Sequence, residues 1–134
     1  MNRVVITGMG IYSCLGKNIE EVRDSLYQGR SGIIFDNARK KRGFRSGLTG
    51  WVERPELKGK LKRRERIGLA EEGEYAYVAT LEALENANLD AEFMAENEVG
   101  ILYGNDSSAK AVIEAADLMR EKKDTTLLGS AAVF

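Results

Sequence analysis

Apolar positions along this chain fall into two patterns. The first is the short unbroken run: residues 3–7 read RVVIT and residues 99–103 read VGILY, each stopped by a glycine-containing turn, Gly8-Met9-Gly10 in one case and Gly104-Asn105-Asp106 in the other. Runs of this length and β-branched content predict buried strands of the kind found in parallel sheets. The second pattern has helical spacing. Ile19, Val22 and Leu26 share one face, Asn18 can cap the helix, Glu21 completes a capping box and Gly29 supplies the stop.

A second helix is predicted over residues 69–87, with Ala76, Thr80, Ala83, Leu84 and Ala87 on one face and Asn88 ending it. Small residues on that face let a helix lie close to a sheet. A third, capped near Ser107 or Ser108, turns Val112, Ala115, Ala116 and Met119 inward. Strands alternating with long helices predict an α/β fold with a parallel or mixed sheet and flanking helices. At 134 residues the chain has the length of one domain. Only two buried strands are visible, and residues 127–134 (LLGSAAVF) close on an apolar run with no stop signal, so the chain is expected to be cut from a larger domain.

Composition narrows the chemistry. Apolar residues make up 43% and charged residues 31%, which places the chain among globular proteins. No apolar run is long enough to span a bilayer and the start lacks a secretory leader, so a cytoplasmic setting is expected, with no membrane partner. There is no His, which excludes Ser/His/Asp and Cys/His machinery built from this chain alone. The single cysteine, Cys14, excludes an internal disulfide, and no metal site is expected. Glu71, Glu72 and Glu74 cluster at a helix start, where favourable interaction with the helix dipole accounts for them better than acid/base chemistry.

Charge is segregated. Residues 39–66 carry 12 Lys or Arg against Glu53, Glu56 and Glu65, a net +9 in a chain of net −1. A basic segment of this kind either meets an anionic partner or is a solvated charge run. Aromatic side chains there are confined to Phe44 and Trp51, too few to form a base-stacking surface, so nucleic acid is not the expected partner.

Gly8-x-Gly10 after a strand invites a dinucleotide-binding reading, and Asp36 falls about where the ribose-binding acid would stand. Against that, Ser13 occupies the third glycine position and the helix cannot open before Asn18, so no helix amides would face a pyrophosphate. A tight turn leaving a buried strand explains the glycines better, and an NAD(P)-binding oxidoreductase stays as the alternative.

The stretch VVITGMGIYSCLG, residues 4–16, closely resembles the opening motif of β-ketoacyl-acyl-carrier-protein synthases. The likeness continues through Gly29-Arg30-Ser31-Gly32-Ile33. Phe44-Arg45-Ser46 and Trp51-Val52 resemble the elongating synthases of the first type, and EYAYVATLEAL and VGILYGN extend the likeness over essentially the whole chain.

The resemblance implies a thiolase-like fold of two similar α/β halves, of which residues 1–134 would be most of the first, with a basic insertion at about 36–66. It implies a homodimeric parent that condenses an acyl thioester with malonyl-acyl-carrier protein by decarboxylation, using a cysteine, histidines and a lysine, and no cofactor. Those catalytic residues would lie beyond Phe134, so no residue here is assigned a catalytic role, and Cys14, in the opening loop, is expected to pack. A non-catalytic partner subunit is a further alternative.

The resemblance also implies two lesser roles. Lys62, Arg63, Arg64 and Arg66 occupy the place where similar synthases receive the acidic carrier protein, Arg63 and Arg64 matching best. The loop after VGILY would help line the acyl pocket, with Ser107 as the pocket residue. A half-domain should also expose the apolar surface that its other half covers, so self-association of the chain is expected.

Overall fold

The computed structural model describes residues 3–105 and 109–124. The elements in chain order are α1 (Ile19–Tyr27), β1 (Ile33–Phe35), α2 (Asn37–Lys41), β2 (Leu48–Gly50), α3 (Arg63–Gly68), α4 (Glu71–Asn86), α5 (Ala91–Glu96) and α6 (Ala109–Lys122).

Local signals place the helices. Asn18 Oδ1 accepts from the Glu21 amide at 2.8 Å, and the Glu21 carboxylate accepts from the Lys17 amide at 2.8 Å, one residue earlier than a capping box requires. Gly29 ends α1 with φ +61°, which lets the Arg30 amide donate to the Ser25 carbonyl at 2.9 Å. Asn88 does the same for α4 at φ 53°, with the Leu89 amide on the Leu84 carbonyl at 2.9 Å.

The two predicted strands are not strands among the described residues. Residues 3–7 and 99–103 carry no ladder, and their side chains are exposed: Val4 by 92% and Leu102 by 103%. A strand buried in a parallel sheet needs neighbours on both edges and helices on both faces, and the described residues supply none for either segment. The sheet that does form is a two-stranded antiparallel hairpin, β1 on β2, pairing Ile33 with Gly50, Ile34 with Thr49 and Phe35 with Leu48.

The Gly8–Gly10 segment packs on α4. A Cβ at Gly8 would fall on the Ala83 carbonyl and on Ala87, and one at Gly10 would fall on the Ala79 carbonyl. The small-residue face of α4 therefore packs at Ala83 and Ala87 on this loop rather than on the expected sheet, with Ala79 completing it, while Thr80 is exposed. Side chains of α4 fasten the loop: Asn86 Oδ1 accepts from the Met9 amide at 3.2 Å, and Glu82 accepts from Ile11 at 2.8 Å and from Ile19 at 2.7 Å.

Tight backbone approach of this kind coexists with a small core. Val22 and Leu57 are the buried apolar side chains among the described residues. The accessible surface, 11293 Å², exceeds the roughly 7000 Å² that a compact monomer of this mass exposes. On α6, Val112 and Met119 are exposed, contrary to the expected inward face, while Ala115 and Ala116 are half-buried. Residues 127–134 and the Ser107 or Ser108 cap lie outside the described residues.

Candidate functional site

The basic run lies on its own short helix. The chain breaks at Leu69-Ala70, whose extended backbone separates α3 from α4. Lys62 precedes α3 with an extended backbone, its amide donating to Glu65 Oε2 at 2.7 Å. Lys62, Arg63 and Arg64 are exposed, and Arg66 is half-buried with its Nε fully enclosed and unpartnered.

Three of the basic side chains converge. Arg54, Arg63 and Arg66 line a recess of about 560 Å³ whose apolar wall is Pro55, Leu57 and Ile67. Arg64 is not part of its lining, so the four expected docking residues divide between an open face and this recess.

Glu74, on the first turn of α4, reaches the same recess. Its carboxylate accepts from Arg54 Nε at 2.5 Å and from the terminal Nη2 at 2.9 Å, a two-pronged pair. Glu74 is only 6% exposed whereas Arg54 is largely open to solvent. The bond to Glu74 holds the Arg54 guanidinium in its charged form, raising its pKa further. Sequence reasoning assigned Glu74 to the helix dipole and gave Arg54 no role, because a pair 20 residues apart leaves no periodic signal.

Beside it, Tyr75 stacks on Tyr12 with ring centroids 5.8 Å apart and donates to Glu71 at 2.7 Å. Burial, then the bond to Glu71, push the Tyr75 phenol up to about 12.

The glycine loop has no nucleotide cradle. The face of Gly8 and Gly10 that a pyrophosphate would approach is occupied by α4. Asp36 is used as the cap of α2, accepting from the Ala38 amide at 2.7 Å. The dinucleotide reading is thereby corrected. Cys14 lies against backbone: a Cβ at Gly32 would strike its carbonyl and sulfur, and its Sγ sits 3.3 Å from where a Cβ of Gly50 would be. A larger cleft of about 820 Å³ runs between the glycine loop and α1, lined by Met9, Ile11, Val22, Leu26 and Tyr27, with Arg23 its one charged side chain. Ser107 lies outside the described residues, and no structure is assigned to it.

Comparison with known proteins identifies this arrangement. The family model described as beta-ketoacyl synthase, N-terminal domain, matches residues 1–133. The 3-oxoacyl-[acyl-carrier-protein] synthase 1 of Buchnera aphidicola is 38% identical over 109 residues, covering 81% of this chain and 27% of its own. That of Escherichia coli is 34% identical over 131 residues, covering 96% of this chain and 32% of its own. A crystal structure of a beta-ketoacyl synthase from Burkholderia phymatum superposes with a TM-score of 0.77 at 27% identity, over 98% of this chain and 33% of that one. The chain thus spans about a third of the length of the relatives it matches, and the expected thiolase-like α/β class holds through that superposition. The sequence match over residues 1–133 and the superposition together place the chain in the β-ketoacyl synthase family.

Proposed function

We propose that this chain is the N-terminal, carrier-receiving part of a 3-oxoacyl-[acyl-carrier-protein] synthase. The parent, a cytoplasmic homodimer, transfers an acyl group from the carrier protein to a cysteine thiolate and condenses it with malonyl-carrier protein as carbon dioxide leaves. A thiolate nucleophile and donors to the developing enolate are what that chemistry requires.

This chain does not supply them. It has no His, and its one cysteine is packed against the backbone at Gly32 and Gly50. Its part is scaffold and docking: Arg63 and Arg64 stand exposed on α3, able to pair with carboxylates of an acidic carrier. Ser107 lines the acyl pocket in this reading.

The observation that carries the proposal is the family match over residues 1–133. The test is titration of the 134-residue chain with acyl-carrier protein. Binding that weakens as salt rises is expected, lost on joint substitution Arg63→Ala and Arg64→Ala, with no condensation of acyl and malonyl thioesters. Turnover by this chain, or carrier binding indifferent to both arginines, refutes it.

A further inference from the structure

Carrier docking at Lys62, Arg63, Arg64 and Arg66 uses one end of the basic segment and leaves the other end without a role. There, α2 joins the strands of the β1–β2 hairpin, and residues 33–50 carry Arg39, Lys40, Lys41, Arg42 and Arg45. The one acid of that stretch, Asp36, caps α2. None of the five cations forms an ion pair among the described residues. Lys41, Arg42 and Arg45 are exposed, and Lys40 donates to the Arg45 carbonyl at 2.9 Å. Gly43, at φ +87° with open space around it, turns the chain between α2 and Phe44.

Apolar side chains stand among these charges. Phe35 and Leu48 are paired across the hairpin, so their side chains share a face, and each is 58% exposed. The Phe35 ring and the Lys40 stem both lie against Gly47, where an added Cβ would strike each of them. Phe44 is half exposed, with the Arg39 guanidinium 4.4 Å from its ring centre. The partner must satisfy both kinds of group. A nucleic acid strand gains from free aromatic faces, and Arg39 already lies over that of Phe44. An acidic protein is held by preset charge-assisted pairs, whereas Lys41, Arg42 and Arg45 are held in no fixed geometry. A bilayer containing anionic lipids offers a diffuse negative surface with an apolar layer beneath it, which Phe35 and Leu48 can enter while the cationic heads stay at the phosphates.

We infer that the α2–hairpin unit, residues 33–50, docks peripherally on an anionic lipid surface, with Lys41, Arg42 and Arg45 at the headgroups and Phe35 and Leu48 seated below them. The expectation of no membrane partner concerned a spanning segment, and among the described residues no helix is long and apolar enough to cross a membrane. A peripheral contact needs no span. The inference goes beyond carrier docking and uses none of its residues.

Vesicle flotation of the 134-residue chain tests it, with vesicles of phosphatidylcholine alone and of phosphatidylcholine and phosphatidylglycerol in equal parts. The chain should float with the mixed vesicles and not with the neutral ones, and less as salt rises. Joint substitution Lys41→Gln, Arg42→Gln and Arg45→Gln should lower the partition coefficient roughly a hundredfold, with circular dichroism unchanged. Leu48→Ser keeps every charge and should lower it about fivefold. It decides the matter, together with the salt dependence of the wild type, if the triple variant loses its fold. Arg63→Gln/Arg64→Gln, which removes charge from α3 instead, should stay within about threefold of wild type.

Equal flotation with both vesicle types overturns the inference and assigns the exposed apolar side chains to a contact that ignores charge. Wild-type partition in the triple variant, or an equal loss in Arg63→Gln/Arg64→Gln, overturns the hairpin as the site. Wild-type partition in Leu48→Ser overturns the seating of apolar side chains in lipid. Binding of single-stranded nucleic acid without flotation assigns the cations to that polyanion and overturns the lipid reading. None of these outcomes bears on carrier docking, which is read by titration with the carrier protein.

Discussion

Arg54 and Glu74 face each other as a two-pronged ion pair with one member buried and the other in water. The asymmetry makes the two residues unequal in energetic terms. Arg54→Ala leaves a buried carboxylate without its partner and should cost about 1–2 kcal/mol, the exposure of the guanidinium reducing the penalty of a fully buried pair. Joint substitution Arg54→Gln and Glu74→Gln should cost less than Arg54→Ala. Urea unfolding monitored by circular dichroism measures both, and equal losses would show that the carboxylate is not the strained party.

Gly10→Ala should destabilise the chain by about 2 kcal/mol, since the added methyl falls on the Ala79 carbonyl and the loop must lift off α4. Gly29→Ala probes the other use of glycine. Space is open there, so its cost, about 1 kcal/mol, comes from the left-handed backbone at φ +61° alone. Thermal melts that rank the two the other way would contradict the packing of the loop on α4.

Glu82 holds two amides at once, Ile11 at 2.8 Å and Ile19 at 2.7 Å, and thereby ties the loop and the first residue of α1 to α4. Glu82→Ala should cost about 2 kcal/mol and Glu82→Gln about 1 kcal/mol, the amide retaining one acceptor oxygen. Hydrogen exchange supplies the local readout: both amides should exchange faster in Glu82→Ala, with α6 unaffected.

Tyr75 links stability to alkaline pH. Its folded pKa of about 12 lies above the ordinary value of 10.0, so the folded state favours the protonated phenol. The stabilisation is fully present below pH 10 and drains away as pH rises from 10 towards 12. Lys17, raised by its bond to Glu53, contributes in the same direction, so the comparison must be differential. Tyr75→Phe should be less sensitive than wild type across that window in denaturant unfolding at stepped pH. Parallel curves would remove Tyr75 as the cause.

What could be read in advance was local. The caps at Asn18, Gly29 and Asn88 hold because each depends on hydrogen bonds within five residues, and no distant partner competes for them. The alanines at 83 and 87 were legible as a close-packing face, though not which segment would use it. Asp36 shows the converse: its distance from the glycines suggested a ribose ligand, and its position before Ala38 made it a cap.

The proposed docking surface was legible only as a basic run. By itself the sequence determined the three longest helices, α1, α4 and α6, the stops of the first two, the charge segregation and the family motif, since these rest on residue type and short spacing. Tertiary structure alone decided that residues 3–7 have no strand beside them among the described residues and that Gly8 and Gly10 serve α4. It also decided that Arg54 joins Arg63 and Arg66 around one recess. Each of these requires two segments far apart in the chain to meet, and sequence spacing carries no record of that meeting.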